Sequence, residues 1–181
     1  MRLLQSPAFA IPALLLPALL LAGCETLSPS EMPVATSNLV RSDGRVAGTV
    51  RIFQQPTGVL LRVDATGLPP GRLGVHVHET GRCDPPGFTT AGAHWNPTGR
   101  QHGHRNPQGY HLGDLGNVGV GADGRLIAGL LVPGASLWPI AGGRPALRDA
   151  NGSALVIHAR TDDEMTDPSG NSGDRIACAI L

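Results

Sequence analysis

The chain has 181 residues, and its 14 basic side chains, all of them arginine, balance 14 acidic side chains at a formal net charge of zero. Nucleic-acid-binding proteins need a surplus of positive charge to neutralise phosphates, so this balance excludes nucleic acid as a partner. The 25 glycines and 16 prolines favour frequent turns and short strands over long helices.

The first residues are typical of an export signal rather than of a folded domain. Arg2 precedes a run of Leu, Ala, Ile and Pro that ends in Leu-Ala-Gly-Cys at residues 21–24. This ending resembles the bacterial lipoprotein cleavage site, where the cysteine becomes the first residue and receives lipid, palmitate included. We therefore predict a lipoprotein signal peptide over residues 1–23 and a lipid on Cys24. An uncleaved membrane anchor is the weaker alternative, because prolines interrupt the apolar run.

Residues 24–38 contain an excess of Thr, Ser and Pro with little hydrophobic pattern, which predicts a flexible tether. The protein is then expected to be exported to the cell envelope. A bacterial membrane is a predicted partner, because the lipid on Cys24 would anchor the chain to its periplasmic or outer-surface side.

From Leu39 onward, short segments with the period-two alternation of half-buried strands are separated by turns. An Ala122-Asp123-Gly124 turn between two such segments indicates a hairpin. No segment shows a sustained helical period, so we predict one all-β domain over residues 39–181, an antiparallel sandwich or barrel. The predicted strands cover residues 46–52, 59–65, 74–78, 117–120, 126–132, 154–159 and 176–181.

All seven histidines of the chain lie in or next to the long interruption between residues 79 and 115 or at a strand end, and Asp114 follows the last histidine of the interruption. Alternation along a strand puts His76 and His78 on one face, while Val75 and Val77 point into the core. His158 ends another apolar run. The remaining candidates are His94, His102, His104, His111 and Asp114.

Imidazole nitrogens suit both copper and zinc, and an all-nitrogen tetragonal set is what Cu(II) prefers. Three histidines and one carboxylate would make a tetrahedral zinc site. With His104 left out, six histidines and one aspartate are one ligand short of two such four-ligand sites. One imidazole that uses both of its ring nitrogens would close this gap.

Three cysteines are an odd number, but lipidation of Cys24 would leave Cys83 and Cys178 as a pair. An exported chain meets an oxidising compartment, so a disulfide between these two cysteines is expected. Such a disulfide would tie a loop in the middle of the chain to the last strand. Two free buried thiols are the alternative.

Six separated blocks of this sequence closely resemble the copper/zinc superoxide dismutases, in the order and with the spacing of that family. The resemblance runs from about Leu39 to Leu181 and implies an eight-stranded antiparallel Greek-key barrel or sandwich with long metal-binding loops. The blocks cover residues 74–79, 91–97, 102–103, 111–117, 156–159 and 170–178.

The resemblance implies both metal cofactors and their ligands, with His94 as the bridging imidazole. Its copper ligands would be His76, His78, His94 and His158. Its zinc ligands would be His94, His102, His111 and Asp114.

Further roles follow from the same resemblance. Asp162 would join His76 to His102, and Arg175 would lie over the copper and attract the superoxide anion. The family's disulfide would pair Cys83 with Cys178, in agreement with the cysteine count. The implied activity is dismutation of superoxide by a redox-cycling copper with a structural zinc, protecting the cell envelope. The resemblance allows a homodimer.

Two features depart from the family pattern. His104 is an additional imidazole, which we interpret as a solvated loop residue. The segment between His158 and Arg175 is acidic and has no lysine, so we hypothesise that Arg175 guides the substrate with help from Arg160, Arg144 or Arg148.

Two other functions remain as alternatives. The domain would be a non-catalytic copper- or zinc-binding or metal-delivery module if it bound the metals without turnover. It would be a zinc hydrolase if its zinc kept a coordination position open for water.

Overall fold

A computed structural model describes residues 32–140 and 143–181. The predicted signal peptide, Cys24 and the first part of the predicted tether lie outside the described residues. Within the described ranges, no helix is both long enough and apolar enough to cross a membrane.

Eight β-strands and one short 3-10 helix, Thr89–Ala91, make up the regular structure of the described residues. The predicted all-β class is confirmed, and no α-helix occurs within residues 32–140 or 143–181. The strands are β1 (Ala35–Arg41), β2 (Val46–Gln55), β3 (Gly58–Ala65), β4 (Gly71–His78), β5 (Asp114–Val120), β6 (Leu126–Pro133), β7 (Ala154–His158) and β8 (Arg175–Ile180).

The strands form one antiparallel sheet that curls into a nearly closed barrel, in the order β5-β4-β7-β8-β1-β2-β3-β6. The connections from β3 to β4 and from β6 to β7 each join strands that are not neighbours in the sheet. Such connections pass over the ends of the barrel and produce the predicted Greek-key topology. They also bring the strand ends that carry the histidines to one region.

The seam of the barrel lies between β5 and β6, where the sequence indicated a hairpin. The turn is present in the structure, and the Gly121 amide donates to the Arg125 carbonyl at 2.9 Å across it. However, β5 pairs with β4 and β6 pairs with β3, so no ladder of hydrogen bonds joins the two strands that flank the turn. The Leu68 amide donates to the Gly124 carbonyl at 3.2 Å, so the connection between β3 and β4 packs against this turn.

Strand β1 corrects the predicted boundary between tether and domain at Leu39. Residues 35–38, which we assigned to the tether, already pair with β2, and Ala35 lies opposite Ile52. Only Leu39 of this strand is fully buried. The sequence therefore lacks a clear alternation here, and the backbone of β2 supplies the pairing that holds the strand.

The barrel interior is apolar, and strand β4 shows how alternation separates the core from the histidines. Val75 and Val77 are fully buried in the main hydrophobic core. His76 and His78 point to the opposite face, as predicted, where they join other histidines. A two-residue period therefore delivers both imidazoles to one point while the strand stays anchored in the core.

A disulfide between Cys83 and Cys178 attaches the loop after β4 to strand β8, as predicted. The two Cα atoms lie 5.6 Å apart across a sequence separation of 95 residues. Phe88, in the same loop, is fully buried in a second, smaller hydrophobic cluster that includes Cys178. The loop therefore has two attachments to the barrel.

Candidate metal centre

Four histidines from two strands and one loop form a buried cluster on the outer face of β4 and β7. His76 and His78 belong to β4, His158 ends β7, and His94 follows the loop that contains the 3-10 helix. His94 approaches because it forms an isolated β-bridge with His78. One ring nitrogen from each lies within 4.8 Å of the others, and all four residues are buried.

One nitrogen of each ring is buried and has no hydrogen-bond partner within the described residues. The other nitrogen is occupied, and for two rings it fixes the tautomer: His78 Nδ1 donates to the Gly92 carbonyl at 2.9 Å, and His158 Nδ1 donates to the Gly173 carbonyl at 3.0 Å. The Nε2 lone pairs of these two rings therefore face the cluster. The four unsatisfied nitrogens are His76 Nδ1, His78 Nε2, His94 Nε2 and His158 Nε2.

These four nitrogens fit a metal ion better than any other partner. A buried polar atom without a hydrogen bond costs about 1–3 kcal/mol, so four together would be a large penalty in a purely structural cluster. A cation bound between them would satisfy all four lone pairs. An all-imidazole set matches the preference of Cu(II).

A second group of donors surrounds Asp114, the first residue of β5. Asp114 Oδ1 lies 2.9 Å from His94 Nδ1, 3.0 Å from His102 Nδ1 and 3.1 Å from His111 Nδ1. Tetrahedral zinc with bonds near 2.0–2.1 Å would place its ligand atoms roughly 3.3 Å apart. The three imidazole nitrogens therefore lie at nearly this distance from Asp114 Oδ1, and His94 Nδ1 lies 3.4 Å from His111 Nδ1.

The contact of His102 Nδ1 with Asp114 differs from an ordinary ion pair. The two atoms lie 3.0 Å apart, yet their orientation does not satisfy the angles of a hydrogen bond. Two groups that converge on a common ion have this arrangement, because both lone pairs then point at the ion rather than at each other. Asp114 Oδ2, the other oxygen, accepts hydrogen bonds from the backbone amides of Gly103 and His111. These bonds orient the carboxylate.

His94 and Asp162 link the two groups in different ways. His94 directs Nε2 to the four-histidine cluster and Nδ1 to Asp114, so one imidazole takes part in both groups. Asp162 Oδ2 lies 2.8 Å from His76 Nε2, and Asp162 Oδ1 lies 3.0 Å from His102 Nε2. This carboxylate fixes one ring of each group and keeps the opposite nitrogen of each ring available.

Burial keeps most of these imidazoles neutral. Desolvation lowers the pKa of His76 to about 3 and that of His158 to about 4, and it also lowers the pKa values of His78 and His94. Burial has the same effect on His102, but the nearby carboxylates of Asp114 and Asp162 outweigh it and raise the pKa of His102 to about 9. The four-histidine cluster is therefore uncharged at neutral pH and ready to bind a cation.

A cavity of about 370 Å³ opens onto the four-histidine cluster and gives it access to solvent. Its wall includes His78, His94, His158, Ser169 and Arg175. Burial lowers the pKa of Arg175, but a guanidinium remains charged in proteins. The cavity therefore places one fixed positive charge beside imidazoles that are neutral.

Comparison with known proteins identifies the family. Residues 46–181 match the sequence profile of the copper/zinc superoxide dismutases. The chain belongs to the copper/zinc superoxide dismutase family. A superoxide dismutase [Cu-Zn] of Caulobacter vibrioides is 44% identical over 148 residues, which cover 81% of this chain and 84% of that protein. Superoxide dismutase [Cu-Zn] 2 of Aquifex aeolicus is 40% identical, over 81% of this chain and 85% of its own.

A solved structure supports the same fold. A double mutant of a superoxide dismutase-like protein from Bacillus subtilis superimposes with a TM-score of 0.77 at 42% sequence identity, covering 81% of this chain and 95% of that chain. The eight-stranded fold expected from the resemblance is therefore confirmed. Copper and zinc are the metals of this family, and the two donor groups suit them.

Every metal ligand that the family resemblance implied lies in one of the two groups. His104, Arg144 and Arg148, which the sequence analysis also considered, lie elsewhere. His104 is exposed and stacks on Tyr110 at a ring separation of 4.1 Å, as expected of a solvated loop residue. Arg144 donates to the Pro56 carbonyl at 2.8 Å, and Arg148 covers the Trp138 ring. Neither arginine is among the residues that line the cavity, so any help to Arg175 would act through longer-range charge.

Backbone carbonyls of one loop position Arg175 and His78 in this superoxide dismutase fold, and the sequence did not indicate these carbonyls. Arg175 donates through Nη1 to the Phe88 carbonyl at 2.8 Å and through Nη2 to the Gly92 carbonyl at 2.7 Å. The Gly92 carbonyl also accepts from His78 Nδ1. Every residue has a carbonyl, so no residue type marks these positions. The left-handed φ values of Phe88 and Gly92 appear only in the structure.

Proposed function

We propose that this protein is a superoxide dismutase that converts superoxide to oxygen and hydrogen peroxide and thereby protects the cell envelope. The observation that carries the proposal is the convergence of four unsatisfied imidazole nitrogens beside Arg175, in a cavity open to solvent. A small anion can enter such a cavity, and a fixed guanidinium attracts it. Membership of the copper/zinc superoxide dismutase family supports the same reaction.

The two donor groups divide the cofactors between them. Copper would be held by His76, His78, His94 and His158, whose free nitrogens face one point. Zinc would be held by His94, His102, His111 and Asp114, because all three imidazole Nδ1 atoms lie within 3.1 Å of Asp114 Oδ1.

Two superoxide anions and two protons give one oxygen and one hydrogen peroxide. Copper supplies a one-electron carrier for this reaction, which zinc cannot do because it has no redox chemistry. Arg175 binds and orients the anion at the cavity wall. His94 lines the cavity, and its Nε2 has no hydrogen-bond partner within the described residues, so this nitrogen can take up a proton in one half-reaction and deliver it to the product in the other. Asp114, through His94 Nδ1, holds the ring in place.

The proposed location is the cell envelope, with a lipid on Cys24 after removal of residues 1–23. The disulfide between Cys83 and Cys178 supports export, because disulfides persist in oxidising compartments and are rare in the cytosol. The sequence at residues 21–24 supports lipidation.

Hydrolysis by zinc is a poorer fit to this geometry. A hydrolytic zinc needs an open position for water, whereas three imidazoles converge on Asp114 Oδ1 and make a set of four protein ligands. The solvent-exposed cavity opens on the four-histidine cluster instead.

The test of the proposed function is superoxide removal by the purified chain, with copper and zinc content measured on the same sample. We expect activity that depends on copper, with one copper and one zinc for each chain. A sample fully loaded with both metals that fails to remove superoxide would favour a metal-binding or metal-delivery module instead. That result would contradict the proposed enzyme.

Replacing Arg175 with alanine tests guidance of the substrate. We expect kcat/KM for superoxide to fall by about tenfold, because steering by a fixed charge raises association rates by tenfold or more. The rate of the unchanged protein should fall as salt increases, and the variant should lose much of this dependence. Arg51, which is exposed on β2, provides the matched control, and Arg51→Gln should behave like the unchanged protein. A value of kcat/KM that changes neither with salt nor with Arg175→Ala would contradict guidance of superoxide by Arg175.

A further inference from the structure

Four of the exposed apolar side chains of the described chain lie in two segments that come together at one end of the barrel. Trp138 and Ile140, in the connection between β6 and β7, are 54% and 62% exposed. Met32 and Val34, just before β1, are 52% and 51% exposed. Large apolar side chains exposed in this way are candidates for an interaction surface.

Hydrogen bonds show that both places belong to the same end. The Val34 amide donates to the carbonyl of Ile52, near the end of β2. Arg144 donates to the carbonyl of Pro56, in the turn that follows β2. Residues 32–34 and the connection that holds Trp138 are therefore both attached to the region where β2 ends. We name this region, with Trp138, Ile140, Arg144 and Arg148, the basal end.

The charge of the basal end is positive. Residues 134–149 contain two arginines, Arg144 and Arg148, and one acidic residue, Asp149, for a net charge of +1. The Arg148 guanidinium lies over the Trp138 ring at 4.7 Å from its centroid, so a cation and an indole form a contact at this surface. Tryptophan prefers the interface between membrane and water, and arginine is attracted to anionic lipid headgroups. This combination fits the surface of an anionic bilayer.

The position of the proposed lipid puts the basal end near such a surface. Met32 is the eighth residue after Cys24, and eight residue steps reach at most about 29 Å when fully extended. We infer that the basal end docks on an anionic membrane through Trp138 and Ile140, with Arg144 and Arg148 contacting lipid phosphates. This inference rests on the proposed lipidation of Cys24.

Docking in this way would turn the metal cavity away from the lipid. Strand β1 begins at the basal end with Ala35 and ends with Arg41, about 20 Å farther along. Arg41 pairs with Ala177, two residues after Arg175 of the cavity wall. The cavity therefore lies toward the far end of β1. Superoxide in the aqueous compartment would reach it without crossing the lipid surface.

Tryptophan fluorescence of the full lipidated chain in vesicles tests the inference. The chain has two tryptophans, and Trp95 is only 5% exposed, so Trp138 reports on the basal end. The vesicles mix phosphatidylcholine with phosphatidylglycerol and carry brominated acyl chains, which quench nearby indoles. We expect a loss of Trp138 emission relative to vesicles without bromine. The Trp138→Phe variant should show no such loss, because only Trp95 remains.

Charge variants distinguish docking of the basal end on the membrane from anchoring by the lipid on Cys24. Replacing Arg144 and Arg148 together with glutamine should leave the chain bound to vesicles through its lipid but remove most of the quenching. Arg100→Gln, an exposed arginine outside the basal end, should keep it. Vesicles of phosphatidylcholine alone should quench less, because they carry no net charge.

Three results would overturn the inference. An anchored chain whose Trp138 emission is the same with and without bromine would show that the basal end stays in water. Protection of Trp138 from iodide at high protein concentration without vesicles would show that a second copy covers it. A chain without lipid on Cys24, identified by mass spectrometry, would remove the premise and leave the proposed dismutase activity unaffected.

Discussion

Replacing His158 with alanine is expected to abolish superoxide removal and copper binding while zinc stays bound. His158 Nε2 is one of the four unsatisfied nitrogens, and its ring has no contact with Asp114 among the described hydrogen bonds and ion pairs. The alanine therefore removes one of the four proposed copper ligands and leaves the proposed zinc ligands unchanged. Metal analysis and a superoxide assay on the same preparation would measure both effects.

The control for this experiment is His104→Ala. His104 is exposed and stacks on Tyr110, so its loss should change neither metal content nor activity. Circular dichroism would show whether the His158 variant keeps its fold. Full activity in a folded His158→Ala protein would contradict the proposed copper site, and loss of zinc together with copper would contradict the division of ligands between two groups.

The sequence predicted the part of this site that follows from strand periodicity. Alternation alone placed His76 and His78 on the face opposite Val75 and Val77, and the structure has this arrangement. The ligand count left two four-ligand sites one ligand short, a gap that one imidazole using both ring nitrogens would close. The structure gives this position to His94, as the family resemblance implied.

Strands that are stabilised mainly by pairing with other strands were harder to predict from the sequence. Strand β1 has one fully buried side chain, Leu39, so its polar sequence resembles a tether although its backbone pairs with β2. The strands on either side of the Ala122-Asp123-Gly124 turn resemble a hairpin, yet they pair with β4 and β3. In both cases pairing with distant strands outweighs the local pattern.

Backbone carbonyls orient several side chains of the site, and the residue types in the sequence do not show which carbonyls do so. The carbonyls of Gly92 and Gly173 select the tautomers of His78 and His158, and the Phe88 carbonyl holds Arg175. These contacts depend on loop conformations, such as the left-handed backbone of Phe88 at φ 50°. Only the folded loop shows which carbonyls do this.

Removing the disulfide is expected to destabilise the protein strongly. Replacing Cys83 and Cys178 with alanine frees a loop of 95 residues in the unfolded chain. A native disulfide stabilises a protein by about 2–5 kcal/mol, chiefly by closing such a loop in the unfolded state. The free energy of unfolding should therefore fall by about 3 kcal/mol. For a chain of this length, Tm should then fall by about 10 °C. Calorimetry or denaturant unfolding would measure both quantities.

The same variant should weaken guidance of superoxide, because the disulfide anchors the loop whose carbonyls hold Arg175. Phe88 and Gly92 lie five and nine residues after Cys83, and both accept from the guanidinium. Below its Tm, the variant should therefore keep both metals but show a lower kcat/KM and a smaller dependence on salt. Reduction of the unchanged protein should reproduce these effects, and reduction of the double variant should add nothing. A normal salt dependence in the folded double variant would show that burial of Phe88 alone keeps Arg175 in place.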